Sequence, residues 1–433
     1  MRASTVLSVL ALGLAACGGG GGSGDDAPGA DGGAGSDGGG GPDGGGDRGP
    51  HPFGTHGGYH AGGVIFPGGS QVDLDDATAA AYDRWKARYL EPACVAGQYR
   101  IKTTPATDAY TVSEGHGYGM LLTVIMAGHD PDARVELDGL YAYYAAHPSD
   151  GDPALMAWAQ DAQCHDVDGV DSATDGDLDI AYALLLADRQ WGSDGAVDYR
   201  AAATRIIAAI LASEIHPANS ILVGDWANDA GDAHYTGTRP SDFTVGHFRA
   251  FAAATGVARW TAVADKTYAV IDALQTGFAP ATGLLPDFAV GATGAAPAPA
   301  PAGWLEGPDD GAYAWNACRT PWRIATDYLM AGEPRARDAV RPITAWIRGV
   351  TGDDPGAVVD GYRLSGQAIG SGPELAFVAP LAVAAMVEPA TGTNQPWLDA
   401  LWTFLVDAAP GDYYGDSLAV LAMVVVSGNW WAP

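Results

Sequence analysis

Three short segments of this chain hold residues whose types and spacing could break a bond by proton transfer. The first is Val112-Ser113-Glu114-Gly115-His116-Gly117-Tyr118-Gly119-Met120. Its acid stands at the entrance of an apolar run, and three glycines within five residues let a ligand or a second backbone approach closely. A carboxyl partly removed from water beside Tyr118 would hold its proton to higher pH and could act as a general acid. The plainer role for Glu114 is a helix-end acid favoured by the macrodipole. The second segment is Ser172-Ala173-Thr174-Asp175-Gly176-Asp177-Leu178-Asp179-Ile180-Ala181. Three acids in five residues repel one another unless a cation, bound protons or capping bonds offset the charge. Asp175 or Asp177 could cap a helix. A calcium site from Asp166, Asp168 and Asp171 is a further reading, although their spacing is not that of an EF-hand loop. The third segment runs from Gly303 to Arg323 and is dense in Trp304, Glu306, Asp309, Asp310, Tyr313, Trp315, Asn316, Arg319 and Trp322. Aromatic faces stack on sugar rings, while Arg, Asn and carboxylates bond hydroxyls. The alternative is an Arg–carboxylate lock among core aromatics.

The elements that must position these residues read as helices. From Asp73 to Leu90, Ala77, Ala81, Trp85 and Tyr89 recur at helical spacing. From Ser113 to Gly128 the chain is apolar nearly all round, as in a buried helix. From about Asp177 to Trp191, Ile180, Ala183, Leu184, Ala187 and Trp191 form one stripe. Further helices fit 198–213, 241–255, 259–275, 320–331, 335–348, 373–387, 394–408 and 415–427. Alternating strands are scarce, and the Ala/Pro/Gly-rich stretch 289–303 reads as a surface loop. Helices that alternate between amphipathic and nearly all-apolar predict an inner ring buried on all sides within an outer ring buried on one face.

The 433 residues carry a net charge of −30. That excludes an ordinary nucleic-acid binder, which needs a basic face. Residues 18–50 contain 18 Gly and 6 Asp and cannot bury apolar surface, so a disordered linker is expected. Without residues 1–50, 46 acids still face 20 Lys/Arg, a charge of −26, so the acidity belongs to the folded part. Residues 1–17 read as a signal peptide: Arg2, then an apolar run from Val6 to Leu14. The ending Leu14-Ala15-Ala16-Cys17 resembles a bacterial lipobox, with Cys17 as the lipidated residue. The chain is thus expected to be exported and to meet a membrane only through a lipid anchor. Residues 51–433 are expected to form the catalytic domain. Three cysteines remain, and Cys94–Cys164 is the favoured pair in an exported protein. No Cys-x-x-Cys pair appears, and no metal or cofactor is expected.

The run Ala173-Thr174-Asp175-Gly176-Asp177-x-x-Ile180-Ala181-x-Ala183-Leu184-Leu185-x-Ala187-x-x-x-Trp191 resembles the signature of glycoside hydrolase family 8. Ser113 to Gly119 resembles the segment carrying that family's general acid. Asn316-Ala317-Cys318-Arg319-x-Pro321-Trp322-Arg323 and Tyr413-Tyr414-Gly415-Asp416-Ser417 resemble further family blocks. The resemblance spans roughly residues 55–430. It implies an all-α (α/α)6 barrel of six inner and six outer helices, and hydrolysis of β-1,4-linked polysaccharide with inversion. One departure stands out: many members have an Asp base where this chain has Asn316, which cannot take a proton from water. A branch with Asn there takes its base from a Glu in the preceding long loop, where this chain has Glu306.

The resemblance then implies Glu114 as acid and Glu306 as base, about 6.5–9.5 Å apart with a water between them. Asp309, Asp310 and a shifted role for Asp175 are the rivals for the base. Asp175 would hold the distorted sugar. Asn316 would orient the water or Glu306, and Arg319 and Tyr118 would bond carboxylates and substrate. Asp177, Trp304 and Tyr414 are further expected substrate contacts, with His116 shaping a subsite. Glucans such as cellulose or lichenan rank slightly ahead of chitosan, which an acidic protein would attract. A monomer is expected. A glycan-binding lipoprotein that has lost catalysis is the alternative of another class.

Overall fold

The computed structural model describes residues 49–60, 62–103, 109–389 and 391–433. The expected signal peptide, Cys17 and nearly all of the expected linker lie outside them. Twelve α-helices dominate the described residues: α1 (Gln71–Tyr89), α2 (Ser113–Ile125), α3 (Ala133–Ala146), α4 (Thr174–Trp191), α5 (Tyr199–Ser213), α6 (Val245–Thr255), α7 (Arg259–Phe278), α8 (Thr320–Ala331), α9 (Pro334–Thr351), α10 (Leu375–Ala385), α11 (Asn394–Asp407) and α12 (Tyr413–Val426). The even-numbered helices touch in sequence, and α12 returns to α2, closing a ring. Each is covered by the odd-numbered helix that follows it, except that α1 covers α12. This is the (α/α)6 barrel that the resemblance implied.

The two rings differ in their burial as their sequences do. In α10 every residue from Ala376 to Ala385 is buried, so an apolar surface all round is required. In α9, Ala336, Ala339, Val340, Ile343 and Ile347 are buried, while Arg335, Arg337, Arg341 and Arg348 make ion pairs on the outer side. Inner helices joined through antiparallel outer ones all point the same way, so their N-termini gather at one end of the barrel. The site is built there.

Several boundaries differ from the sequence reading. α4 starts at Thr174, one turn earlier than expected, so Asp175 and Asp177 lie in its first turn rather than capping it. Its N-cap, Ala173, makes no side-chain bond. The stretch 241–244 precedes α6, and residues 240–242 form a 3-10 turn. The helix α3 was not anticipated, because Gly139 interrupts its pattern. That glycine is a packing device: a Cβ there would collide with Tyr99 and come within 2.9 Å of the Gly97 carbonyl. The expected loop 289–303 contains a small hairpin, β5 (Ala289–Val290) with β6 (Ala298–Pro299), preceded in the chain by β1 (Leu90–Pro92), β2 (Tyr99–Ile101), β3 (Thr111–Val112) and β4 (Ala159–Gln160). Cys94 and Cys164 form a disulfide, and Cys318 is a buried thiol.

Candidate active site

Glycines bring the first two acidic segments together. A Cβ on Gly117 would lie 2.8 Å from the Asp179 Cβ and 3.1 Å from the Gly176 carbonyl. A Cβ on Gly176 would lie 2.5 Å from the Ser113 hydroxyl. With hydrogen at both positions, the first turns of α2 and α4 nearly touch, placing Glu114 beside Asp175. Gly115 in turn makes room for the Tyr413 hydroxyl, which donates to Glu114 Oε1 at 2.8 Å. Glu114 therefore bonds to the tertiary structure rather than capping its own helix.

Arg319, fully buried, is the hub. Its Nη1 donates to Glu114 Oε2 at 2.6 Å, to Asp175 Oδ2 at 2.8 Å and to the Tyr118 hydroxyl at 3.1 Å. Its Nη2 donates to Ser241 Oγ at 2.8 Å and to Asn316 Oδ1 at 2.9 Å. A guanidinium has only donors, so the Asn316 oxygen must face it and the Asn316 amide must face the other way. There Asn316 Nδ2 donates to Glu306 Oε2 at 2.8 Å. An acid at position 316 would repel Glu306; the amide instead gives it a hydrogen bond. Glu114 and Glu306 are thus joined through Arg319 and Asn316.

The loop bearing Glu306 is held from below. Asp310 accepts the amides of Leu305 (2.7 Å), Glu306 (3.2 Å) and Gly307 (2.8 Å). Asp287 accepts those of Ala314 (3.0 Å), Asn316 (3.1 Å) and Ala317 (2.6 Å). Trp304 packs with Phe288 and Leu222, Val223, Ala227 and Ala300 in a small apolar cluster separate from the main core.

Burial pushes the Glu114 carboxyl up; Arg319 pulls the other way and the Asp175 charge adds to the rise. Glu306 is also raised by burial, against the attraction of Arg239 and the bond from Asn316. For Asp175, burial is outweighed by Arg239 and Arg319, which bring it down to about 2. Arg239 Nη2 lies 3.2 Å from Asp175 Oδ1, and its Nε is 3.1 Å from Asp242. One end of the site therefore carries a carboxyl biased to keep its proton, beside a carboxylate held ionised. That division suits acid catalysis next to developing positive charge.

The expected residues fall into two groups. Glu114, Glu306, Asn316, Asp175 and Arg319 share one network, and Tyr414 lies near it, donating to the Trp315 carbonyl at 2.6 Å. Tyr118, Arg319 and Asp177, expected as substrate contacts, have no accessible surface in this structure. Asp177 accepts the Met156 amide at 2.9 Å and faces Glu214. His116 is also fully buried: Nε2 bonds the Leu140 carbonyl, and burial lowers its pKa to about 4. Trp304 is wedged against Gly237 and Phe288 as a loop anchor. Of the rivals to Glu306, Asp310 is spent on backbone amides and Asp309 pairs with Arg363 at 2.9 Å. Asp166 bonds His147 and Gln160. The expected Arg–carboxylate lock also exists, one turn deeper: Arg323 pairs with Asp179, which His247 bonds at 3.0 Å.

Arg239, Ser241, Asp242, Asp287 and Tyr413 were missed as site residues. Arg239-Pro240-Ser241-Asp242 carries one signal: an Arg and an Asp beside a proline in a chain poor in bases.

Residues 69–428 match the family described as glycosyl hydrolases family 8. A beta-glucanase of Niallia circulans is 47% identical over 381 residues, covering 88% of this chain and 91% of its own length. An endoglucanase of Bacillus sp. (strain KSM-330) is 38% identical over 377 residues, 84% of this chain and 78% of its own. The apo structure of a beta-1,3-1,4-glucanase from Paenibacillus sp. X4 superposes with a TM-score of 0.84 at 45% identity, covering 90% of this chain and 100% of that one. Rex8A from Paenibacillus barcinonensis complexed with xylose, 21% identical, shares the fold with a TM-score of 0.69 over 84% of this chain and 94% of its own. With its barrel, its signature run and these relatives in agreement, the chain is a glycoside hydrolase and belongs to family 8.

Proposed function

We propose that the protein is an endo-acting β-glucanase that cleaves a β-glucan such as lichenan or cellulose with inversion. Glu114, whose proton burial favours, donates to the glycosidic oxygen. Glu306, bonded by the Asn316 amide and drawn toward its ionised form by that bond and by Arg239 against the push of burial, takes a proton from the water that attacks the anomeric carbon. Asp175 stays charged between Arg239 and Arg319 and stabilises the oxocarbenium-like transition state. The observation that carries the reading is the relay from Glu114 through Arg319 and Asn316 to Glu306. It engages two carboxyls of opposite duty without bringing them into mutual hydrogen bonding.

The relatives' names, beta-glucanase, endoglucanase and beta-1,3-1,4-glucanase, support glucan over chitosan. The test is reducing-sugar release from lichenan, carboxymethylcellulose, chitosan and xylan, with proton NMR of the first anomer formed. Release from lichenan or carboxymethylcellulose as the α-anomer is expected. Glu114→Gln and Glu306→Gln should each cut kcat at least ~10³-fold with the unfolding temperature unchanged. Near-native activity in either variant, or a β-anomer first, would refute the assignment.

Export, a lipid tether at Cys17 and a monomeric catalytic domain complete the proposal. The support for export and the tether is the short apolar leader, the Leu-Ala-Ala-Cys ending and the Gly/Asp-rich stretch behind it. Labelling with radioactive palmitate, lost in Cys17→Ala together with membrane association, would test the tether.

A further inference from the structure

The loop carrying Glu306 touches a second loop, residues 225–237, through one imidazole. His234 Nε2 lies 2.9 Å from the Trp304 carbonyl oxygen, and Nδ1 lies 2.9 Å from Asp232 Oδ1. The same carboxylate oxygen accepts the His234 amide at 2.7 Å, which fixes the orientation of Asp232. A carbonyl oxygen and a carboxylate are both acceptors. A neutral imidazole has one N–H and can satisfy only one of them; an imidazolium satisfies both. The ring is set edge-on between the indoles of Trp226 (centroids 5.0 Å apart) and Trp304 (4.7 Å), and the His234 side chain is 20% exposed. Among the described residues, Asp232 is the ionisable side chain recorded within hydrogen-bond reach of the ring, from its own loop; the Glu306 loop presents a carbonyl and an indole, and the 225–227 turn an indole. Two residues beyond Trp304 stands Glu306.

We infer that His234 is a positioning residue: with Nδ1 on Asp232 and Nε2 on the Trp304 carbonyl, its ring latches the Glu306 loop in its working position. Removing the ring takes this bond away and loosens the loop's near end, while the Trp304 indole keeps its packing and Asp310 still holds the loop's internal turn. The latch depends on this geometry alone; its effect on turnover rests on the reading of Glu306 as the base.

The test combines amide hydrogen exchange of residues 304–307 with kcat and KM on lichenan for wild type, His234→Ala, His234→Gln and Asp232→Asn. Gln places a donor near the Nε2 position. Protection of 304–307 relative to intrinsic exchange should be highest in wild type, kept in part in His234→Gln and lowest in His234→Ala. In Asp232→Asn, which weakens the ring's other anchor, it should be intermediate. His234→Ala should lose about tenfold in kcat, the worth of one charge-assisted hydrogen bond, with KM within about twofold. If His234→Ala fails to fold, the Gln and Asn variants decide the matter. Equal protection in wild type and every folded variant would overturn the latch. If Glu306→Gln stays active while the His234 variants lose protection, the base assignment falls and the latch stands. If Glu306→Gln is inactive and the His234 variants match wild type in protection, the reverse holds.

Discussion

Arg319 is where the site can be tested most sharply, because its donors serve different partners from different nitrogens. In Arg319→Lys a single ammonium replaces Nη1 and can still reach Glu114, Asp175 and Tyr118. The bonds from Nη2 to Ser241 and Asn316 Oδ1, and from Nε to the Asn316 carbonyl at 3.3 Å, are lost. Three hydrogen bonds at about 1 kcal/mol each predict a loss of about 3 kcal/mol in stability. Freed from the guanidinium, the Asn316 amide can turn away from Glu306, and a displacement near 1 Å of a reacting group costs about 10²-fold in rate. Arg319→Met goes further and leaves Glu114 and Asp175 facing each other with Arg239 as remaining cation, a loss of about 3–5 kcal/mol. The two variants should differ in pH dependence. Arg319 pulls the Glu114 pKa down against burial, so its removal raises that pKa, the acid form persists to higher pH, and the alkaline limb of kcat/KM moves up. Lysine keeps the charge and leaves the limb near its place. The assay is reducing-sugar release from lichenan across pH, with calorimetric unfolding of each variant. Wild-type kcat in Arg319→Lys, or an alkaline limb that moves down in Arg319→Met, would refute the reasoning.

Other consequences are open to measurement. Asp310→Asn keeps one acceptor for three backbone amides; kcat should fall about 10–100-fold with stability lowered by about 1–3 kcal/mol, read by steady-state kinetics and denaturant unfolding. The buried Glu214 carboxyl, facing Asp177 and bonded by Ser172 at 2.6 Å, is pushed up to about 8 chiefly by burial. The folded state holds a proton that the unfolded chain releases above about pH 4.5, so this contribution to stability is full below that pH and is lost as pH rises through about 8. Glu214→Gln should therefore unfold at a higher temperature than wild type near pH 8 and show no gain near pH 4. The disulfide closes a loop with a sequence separation of 70; the double variant Cys94→Ser/Cys164→Ser should lose up to about 4 kcal/mol in denaturant unfolding while kcat changes little, because both cysteines lie away from the network around Arg319.

Of the twelve helices among the described residues, eleven are legible in the chain because helix formation and amphipathicity are local. A period of 3.6 residues can be counted along α9 or α4 without knowing what covers them. The exception, α3, carries a mid-helix glycine whose reason is a contact with Tyr99. The two acidic segments and the 303–323 segment were legible as chemistry because a short run of costly or adaptable residues needs a cause. Their partners were not. Glu114 meets Tyr413 from 299 positions away and Arg319 from 205, and Asp175 meets Arg239 from 64. A base among many acids carries no local mark of the acid it will face.

Residue type determined what each group could do: Asn316 could donate and accept hydrogen bonds but could not take a proton from water, and Arg319 could only donate. Burial and direction determined what each group does in place. Tyr118, His116 and Asp177 look from the sequence like surface chemistry, yet the closing of six inner helices leaves them no solvent. Trp304 looks like a sugar platform, and its indole, partly exposed, is also packed against Phe288 and Gly237. The sequence alone determined the ring of helices and the acids at their starts, because apolar periodicity and side-chain chemistry are properties of the chain. Only the tertiary structure decided which of those acids is biased toward its proton and which toward its charge, because that balance depends on desolvation and on cations brought in from distant helices.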